Sequence, residues 1–575
     1  MRQGAGALSE AEGVLLSAFL ALAPLVALSA LRWADQNTLV SWQWVLAPQG
    51  LPRLYLLLAL AVAGAWGLSR LGPQQRRPRT LLLALAGLSA LPFWAEPEML
   101  LDASRYFLQA KHLALYGLVS FLGQWGEGIQ AWTDLPLMPA LYGLLFRYLG
   151  EARVYVQALN TGLFALTVVL VFELGRLLWD TRTGFYGAVF LLGIPYLYTQ
   201  VPLMMVDVGA MFFLMLALWC ALKALRQGGR WLPAAALAAA LALLTKFTLW
   251  GLLPLGLLGL SLAVGRPCRA LAVLALAGLL LAPLGLYKAE VLLAQLRLLV
   301  QYQLPALKGW NEGYASVLLF QSHPLLLAFS LWGLGQAVRL RDRGFVLPGL
   351  LLLLALAIGA PRMRYLLPVL PLLALAAGYG LRGLRLPGAF LCMAVAGTAF
   401  ALAASAYLPF LKGTSMGNLR EAARLLEALP AERVLVKTLP QQASLGSTWA
   451  LVPILDLYSS KEILSRAPSP PEAWSKALRL HPLRFSWELR APDFYRPAGS
   501  PQALVLLSGS DRHHPPEGLT RAGAFTAHGR AFRYKAFAAV YVPLGPEKTI
   551  PTPALSHLGQ AAASSGEKSM AWSLH

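Results

Sequence analysis

Asp102, Arg105, Tyr106 and Gln109 recur at i, i+3, i+4 and i+7, so a helix would present all four on one face. A carboxylate held beside a guanidinium and a phenol can take a proton from an incoming hydroxyl. The same spacing also suits a plain interfacial helix, whose first-turn acid complements the helix dipole and pairs with Arg105. Other single charges punctuate apolar sequence further along. Asp207 follows Leu-Met-Met-Val and precedes an apolar run, where an acid can cap a helix. Lys246 ends another run, where a lysine can snorkel to the interface. Arg153 opens an apolar run, and Arg362 and Arg364 stand together before one. Cations so placed are also what a phosphate or carboxylate partner needs. Glu173 and Arg176, at i, i+3, read as a structural pair.

The elements that must position these residues are membrane helices. Of the 575 residues, 57% are hydrophobic and only 13% charged, and the mean hydropathy is +0.57. A soluble domain carries roughly twice that charged fraction. Apolar runs bounded by charge fall at 14–31, 51–69, 80–94, 154–177, 184–200, 208–225, 232–247, 249–264, 270–287, 323–338, 345–360, 365–381 and 387–408, about thirteen transmembrane helices. The run at 14–31 follows a weakly charged segment and is taken as a retained helix rather than a cleaved signal.

Net charge is +21, from 48 Lys+Arg against 27 Asp+Glu, but the cations cluster in short loops between runs rather than along one polar face. That pattern speaks for topology and against nucleic acid. Arg76, Arg77 and Arg79, then Arg182, then Lys223, Arg226 and Arg230, then Arg266 and Arg269, then Arg339, Arg341 and Arg343, then Arg382 and Arg385 occupy alternate loops. All are expected to be cytoplasmic, which requires an odd number of spans, an inside N-terminus and an outside C-terminus. Arg153, Arg362 and Arg364 then lie on the side the rule disfavours. Three cysteines far apart build no disulfide framework, and scattered histidines build no metal cage.

Residues 1–410 are read as the transmembrane module and its first outer loop as 95–153. In that loop 101–117 and 136–149 are expected to be amphipathic helices on the membrane surface. The loop 288–322, with Tyr302, Trp310 and Tyr314, suits either a cover over a cavity or an interfacial aromatic belt. Residues 411–545 read as a small extracytoplasmic α/β domain, with strands at 433–438, 503–507 and 536–542 and a helix over 419–429 opened by an Asn418/Glu421 capping box. Residues 546–575 have the composition of a disordered tail.

The segment Asp102-Ala-Ser-Arg-Tyr106 resembles the Asp-Glu-x-Arg-Tyr motif of membrane glycosyltransferases of the C superfamily (GT-C), of the protein-O-mannosyltransferase and aminoarabinose-transferase type called family 39. Ala103 stands where that motif has a second acid. Asp134-Leu-Pro-Leu-Met-Pro139 resembles the family's His-x-Pro-Pro stretch, and Leu149-Gly-Glu-Ala-Arg153 its turn before the next helix. Pro195 with Asp207, Leu244-Thr-Lys246 and Pro361-Arg-Met-Arg-Tyr-Leu-Leu-Pro368 follow in the family's order. The resemblance implies a GT-C fold and inverting transfer of a hexosyl or pentosyl unit from a polyprenyl-phosphate donor to a protein, lipid or glycan acceptor at the outer face of a plasma membrane. It implies Asp102 as general base, with Asp207 positioning the acceptor or a divalent metal between the two acids. Arg105, Tyr106, Arg153, Lys246, Arg362, Arg364 and Tyr365 would bind substrate, the cations neutralising the departing phosphate. A lipid or sugar transporter would place its charges at the midplane and show broken-helix repeats. A non-catalytic scaffold would have no use for acids in two outer loops.

Overall fold

The computed structural model describes residues 9–33, 51–70, 77–95, 102–305, 313–359, 362–408, 416–439, 448–465, 492–496, 500–509, 515–529, 534–544 and 550. Glu96, Glu98, Trp310, Pro361, most of the expected tail and Arg76 lie outside them.

In chain order the helices are α1 (Glu10–Trp33), α2 (Leu51–Ser69), α3 (Pro78–Ala90), α4 (Asp102–Gln124), α5 (Leu137–Leu149), α6 (Arg153–Leu178), α7 (Thr181–Leu192) and α8 (Pro195–Gln200). There follow α9 (Asp207–Gln227), α10 (Trp231–Leu243), α11 (Thr248–Val264), α12 (Pro267–Tyr287), α13 (Ala289–Leu298), α14 (Tyr314–Gln321), α15 (Pro324–Leu340) and α16 (Val346–Ala357). The helical part closes with α17 (Met363–Leu366), α18 (Leu370–Arg382), α19 (Gly388–Leu402), α20 (Gly417–Ala428) and α21 (Val452–Tyr458).

Over their described residues the expected apolar runs are mostly helical. Among the described residues, seven stretches are long and apolar enough to cross a membrane: Glu10–Ala30, Pro52–Ser69, Arg153–Leu178, Asp207–Gln227, Pro267–Tyr287, Met363–Arg382 and Gly388–Tyr407. The run at 184–200 is not one helix. It breaks between α7 and α8, because Ile194 precedes Pro195 and takes an extended conformation (φ −113°, ψ 95°). The loop at 288–322 is largely helical too, as α13, a π-turn over 299–303 and α14.

Close helix contacts come from glycine. A Cβ at Gly380 would lie 2.1 Å from the Phe329 carbonyl oxygen, so α18 packs backbone to backbone on α15. Small residues permit this approach where lipid supplies no hydrophobic drive. Helix α4 turns sharply at Gly117 (φ 85°, ψ 171°), a conformation open to glycine. Residues 102–116 therefore form one rigid segment.

After α19 the chain builds a five-stranded sheet from β1 (Arg433–Thr438), β2 (Glu462–Ser465), β3 (Ala503–Ser508), β4 (Leu519–Gly529) and β5 (Tyr534–Pro543). The order is β2-β1-β3-β5-β4. β1 pairs in parallel with β2 and β3, while β5 runs antiparallel to β3 and β4. All six residues of β3 are buried, as a middle strand covered on both faces requires. The Asn418/Glu421 capping box is not formed. α20 begins two residues earlier, at Gly417, behind Met416, which makes no side-chain cap, and Asn418 is buried inside the first turn.

Candidate active site

Asp102 opens α4 and Asp207 opens α9, so both carboxylates sit at the positive ends of helices. The loop before Asp207 is pinned by polar side chains from neighbouring helices. Tyr142 of α5 donates to the Met205 carbonyl at 2.6 Å and to Asn160 Oδ1 at 3.0 Å, and Asn160 of α6 donates to the Leu203 carbonyl at 2.7 Å. Gly209 allows α9 to pass against Met138, whose sulfur would lie 2.2 Å from an added Cβ. Lys246 occupies the turn between α10 and α11. The Leu137 amide donates to the Leu244 carbonyl at 3.2 Å, tying that turn to the start of α5.

These elements converge on Arg364 of α17. Its Nη1 donates to Asp102 Oδ2 at 2.6 Å, and its Nε to Asp207 Oδ2 at 2.9 Å. Lys246 Nζ donates to the other Asp207 oxygen at 2.5 Å and sits 4.9 Å from the centre of the Tyr365 ring. Arg105 Nη1 reaches Asp102 Oδ1 at 3.1 Å. Asp207 is fully buried, whereas the Asp102 side chain is 32% exposed. Of the two acids, only Asp102 is open to solvent. Burial disfavours its charge, but the guanidiniums of Arg364 and Arg105 outweigh that and hold it well below the usual carboxylate range.

One residue of the centre was not foreseen. Asp134 is buried and takes a forked grip from Arg105, whose Nη2 lies 2.8 Å from Oδ1 and whose Nε bonds Oδ2. Gln109 Nε2 donates to the same carboxylate at 3.0 Å. Arg105 is therefore a buried brace between Asp134 and Asp102, and Tyr106 lies beneath it, its ring centre 5.1 Å from the guanidinium carbon. The sequence signal for Asp134 was only its place beside a proline pair. Arg153 is held elsewhere: Nη1 donates to the Trp94 carbonyl at 3.2 Å and the guanidinium lies 5.9 Å from the Tyr458 ring centre. Arg362 lies close enough to interact electrostatically with Arg364, Asp102, Tyr196 and Tyr365. Among the described residues, Arg105, Lys246, Arg362 and Arg364 gather with Asp102, Asp134 and Asp207. Glu173 and Arg176 pair at 2.6 Å, with Arg79 joining at 2.7 Å.

The donor set does not suit a divalent metal. All four oxygens of Asp102 and Asp207 accept from a guanidinium or ammonium, and among the described residues no three His, Cys, Asp or Glu side chains gather.

The helices make a polytopic membrane protein with a charged centre at one end. The family model for dolichyl-phosphate-mannose-protein mannosyltransferases matches residues 134–287. The structure of ArnT from Cupriavidus metallidurans bound to undecaprenyl phosphate matches over 82% of this chain and 99% of that one, at 13% identity and a TM-score of 0.54. The same protein in its apo state covers 80% and 97%, at 14% identity and 0.49. The oligosaccharyltransferase AglB from Archaeoglobus fulgidus, solved with an inhibitory peptide and a dolichol-phosphate, covers 74% and 69%, at 10% and 0.45. No curated protein matches the sequence. The chain has the GT-C fold with a small C-terminal sheet domain, and it is similar to the family 39 membrane glycosyltransferases.

Proposed function

We propose that the protein transfers a sugar from a polyprenyl-phosphate donor to an acceptor hydroxyl at the outer face of the membrane, with inversion at the anomeric carbon. The acceptor oxygen forms the new bond to that carbon as the bond to the lipid phosphate breaks. The hydroxyl proton passes to Asp102, and the phosphate leaves with the electron pair. The observation that carries this reading is the sharing of Arg364 between an exposed acid and a buried one, beside Lys246.

Asp102 as found is a poor base, since both its oxygens are held by guanidiniums. A general base works best with a pKa near the operating pH. A phosphate entering beside Arg364 and Lys246 would compete for those cations. As Arg364 turns toward phosphate, Asp102 loses its strongest partner and becomes a better proton acceptor. Donor binding would thus switch on the base, and Asp207, which stays buried, would keep Arg364 and Lys246 within reach of the phosphate. The outer-face assignment is supported by the basic loops, among them Arg79 and Arg382, which lie at the far ends of the helices that converge on the site.

The test is direct. Purified protein in lipid, given a polyprenyl-phosphate sugar of known anomeric form, should release free polyprenyl phosphate and yield the opposite anomer on the acceptor. Retention of configuration, or sugar movement across a vesicle with no bond broken, would overturn the proposal.

A further inference from the structure

The C-terminal domain rests on the outer helix through a buried ionic contact. Lys111 Nζ of α4 donates to Asp456 Oδ2 of α21 at 2.6 Å, and the Tyr495 hydroxyl donates to that same oxygen at 2.6 Å. Asp456 and Tyr495 are buried, and the Trp449 ring packs edge-on against Tyr495 at 6.2 Å. The Lys111 ammonium lies 5.5 Å from the Phe107 ring centre and 5.8 Å from those of Phe494 and Tyr495. It also donates to Glu151 Oε1 at 3.1 Å, in the turn between α5 and α6.

We propose that the C-terminal domain is a positioning element of the active centre: Asp456, by holding Lys111, fixes the outer helix that carries Asp102 and Arg105. The proposal rests on the reading of Asp102 as the base. Lys111 lies nine residues after Asp102, two and a half turns, and both precede the break at Gly117. A displacement at Lys111 therefore reaches Asp102 through one unbroken helix. A buried ion pair contributes little net stability but specifies geometry well, because the wrong register strands a charge. Asp102 must meet Arg364 from the far end of the chain at hydrogen-bond distance, which is where such precision matters. Lys111 also has two acids of different origin. Glu151 belongs to the membrane module and Asp456 to the sheet domain, so losing Asp456 cuts the bond between modules and leaves Lys111 paired.

That asymmetry sets the experiment, done on the full chain. Asp456→Leu and Lys111→Met should each lower kcat at least about tenfold with the donor KM unchanged. In both, the α4 amides 103–113 should exchange hydrogen faster than in wild type, while those of α9 do not change. Asp456→Asn, which preserves shape, should show a weaker form of the same effect. The swap Lys111→Asp with Asp456→Lys keeps one cation and two acids, and should restore both turnover and protection. Wild-type kcat and exchange in Asp456→Leu, or a swap no better than its single variants, would overturn the proposal. If wild type transfers no sugar at all, the proposed function falls, while the exchange data still decide whether Asp456 holds α4.

Discussion

The molecule has two charged ends, and they use the same residue types differently. At the basic end, Arg382 bridges Asp180 at 3.4 Å and Asp342 at 3.6 Å, while Arg79 and Arg176 share Glu173. The carboxylates of Asp180 and Asp342 also close helix ends, accepting from the Thr183 and Gly344 amides, and the Tyr379 hydroxyl donates to Asp342 at 2.8 Å. Arg79 there is 59% exposed. Such pairs are explained by the helix ends they join. At the other end Asp102 and Asp207 accept from cations alone, with no backbone amide among their described partners. Charges gathered in a half-buried pocket without a capping duty carry a desolvation cost that structure does not recover. Perturbed, clustered charge of that kind is what makes this end the candidate site.

The sharpest way to break this contrast is to neutralise one acid at each end. Asp102→Asn keeps shape and removes the proton acceptor, so turnover should fall by about 10² or more, the scale of general-base loss. Donor binding should survive. Asp342→Asn should lower the melting temperature and leave turnover unchanged. Wild-type turnover in Asp102→Asn, measured with lipid-linked sugar, would reduce α4 to an interfacial helix.

The arginines give a smaller effect on the same axis. Arg364→Ala removes a charge-assisted bond to phosphate of roughly 1.5–3 kcal/mol. We expect kcat/KM for donor to drop by about 10- to 100-fold, the equivalent of that energy at 1.4 kcal/mol per decade. Arg382→Ala should leave kcat/KM unchanged, and equal losses in the two variants would mean the ends do not differ in kind. Smaller again is Lys246→Ala, because Arg364 still holds one oxygen of Asp207. Donor KM should rise with kcat nearly unchanged, and a loss confined to kcat would move Lys246 from the phosphate to the reacting centre.

Much of this arrangement could be read from the chain, for identifiable reasons. Hydropathy marked the helical runs, since lipid allows few alternatives to a helix. Period 3.6 placed Asp102, Arg105 and Gln109 on one face, and Arg364 stood out by violating the charge rule for outer loops. What could not be read lies in pairings over long separations. Arg105 finds Asp134 across 29 residues and Lys246 finds Asp207 across 39, contacts that only packed helices create. Lys111 finds Asp456 across 345. Local chemistry was also outweighed once: the capping signal at Asn418 lost to burial of that residue against the sheet domain.

The smallest effect expected is one of pH, and it separates the Asp102 cluster from the junction with the C-terminal domain. Glu151 is pushed up to about 7, first by burial and then by the neighbouring Asp456 carboxylate, against the pull of Lys111. Among the described residues, Lys111, Asp456 and, behind it, Tyr495 are joined at this junction, and His112 and Asp493 face each other beside it. An ordinary glutamate titrates near about 4.3, so the folded protein holds this proton more tightly than the unfolded chain does. The sign follows. The stability that neutral Glu151 contributes is fully present below about 4.3 and is lost as pH rises through about 7. Between about pH 4.3 and about pH 7 the amides of α21 should lose protection, and above about pH 7 they should lose no more. Glu151→Gln should flatten that slope and keep the contact at its low-pH strength. Asp102 cannot cause the same slope, since it is already ionised throughout that range. An unchanged slope in Glu151→Gln would assign the titration to another group and leave Lys111 and Asp456 as a pH-independent bolt.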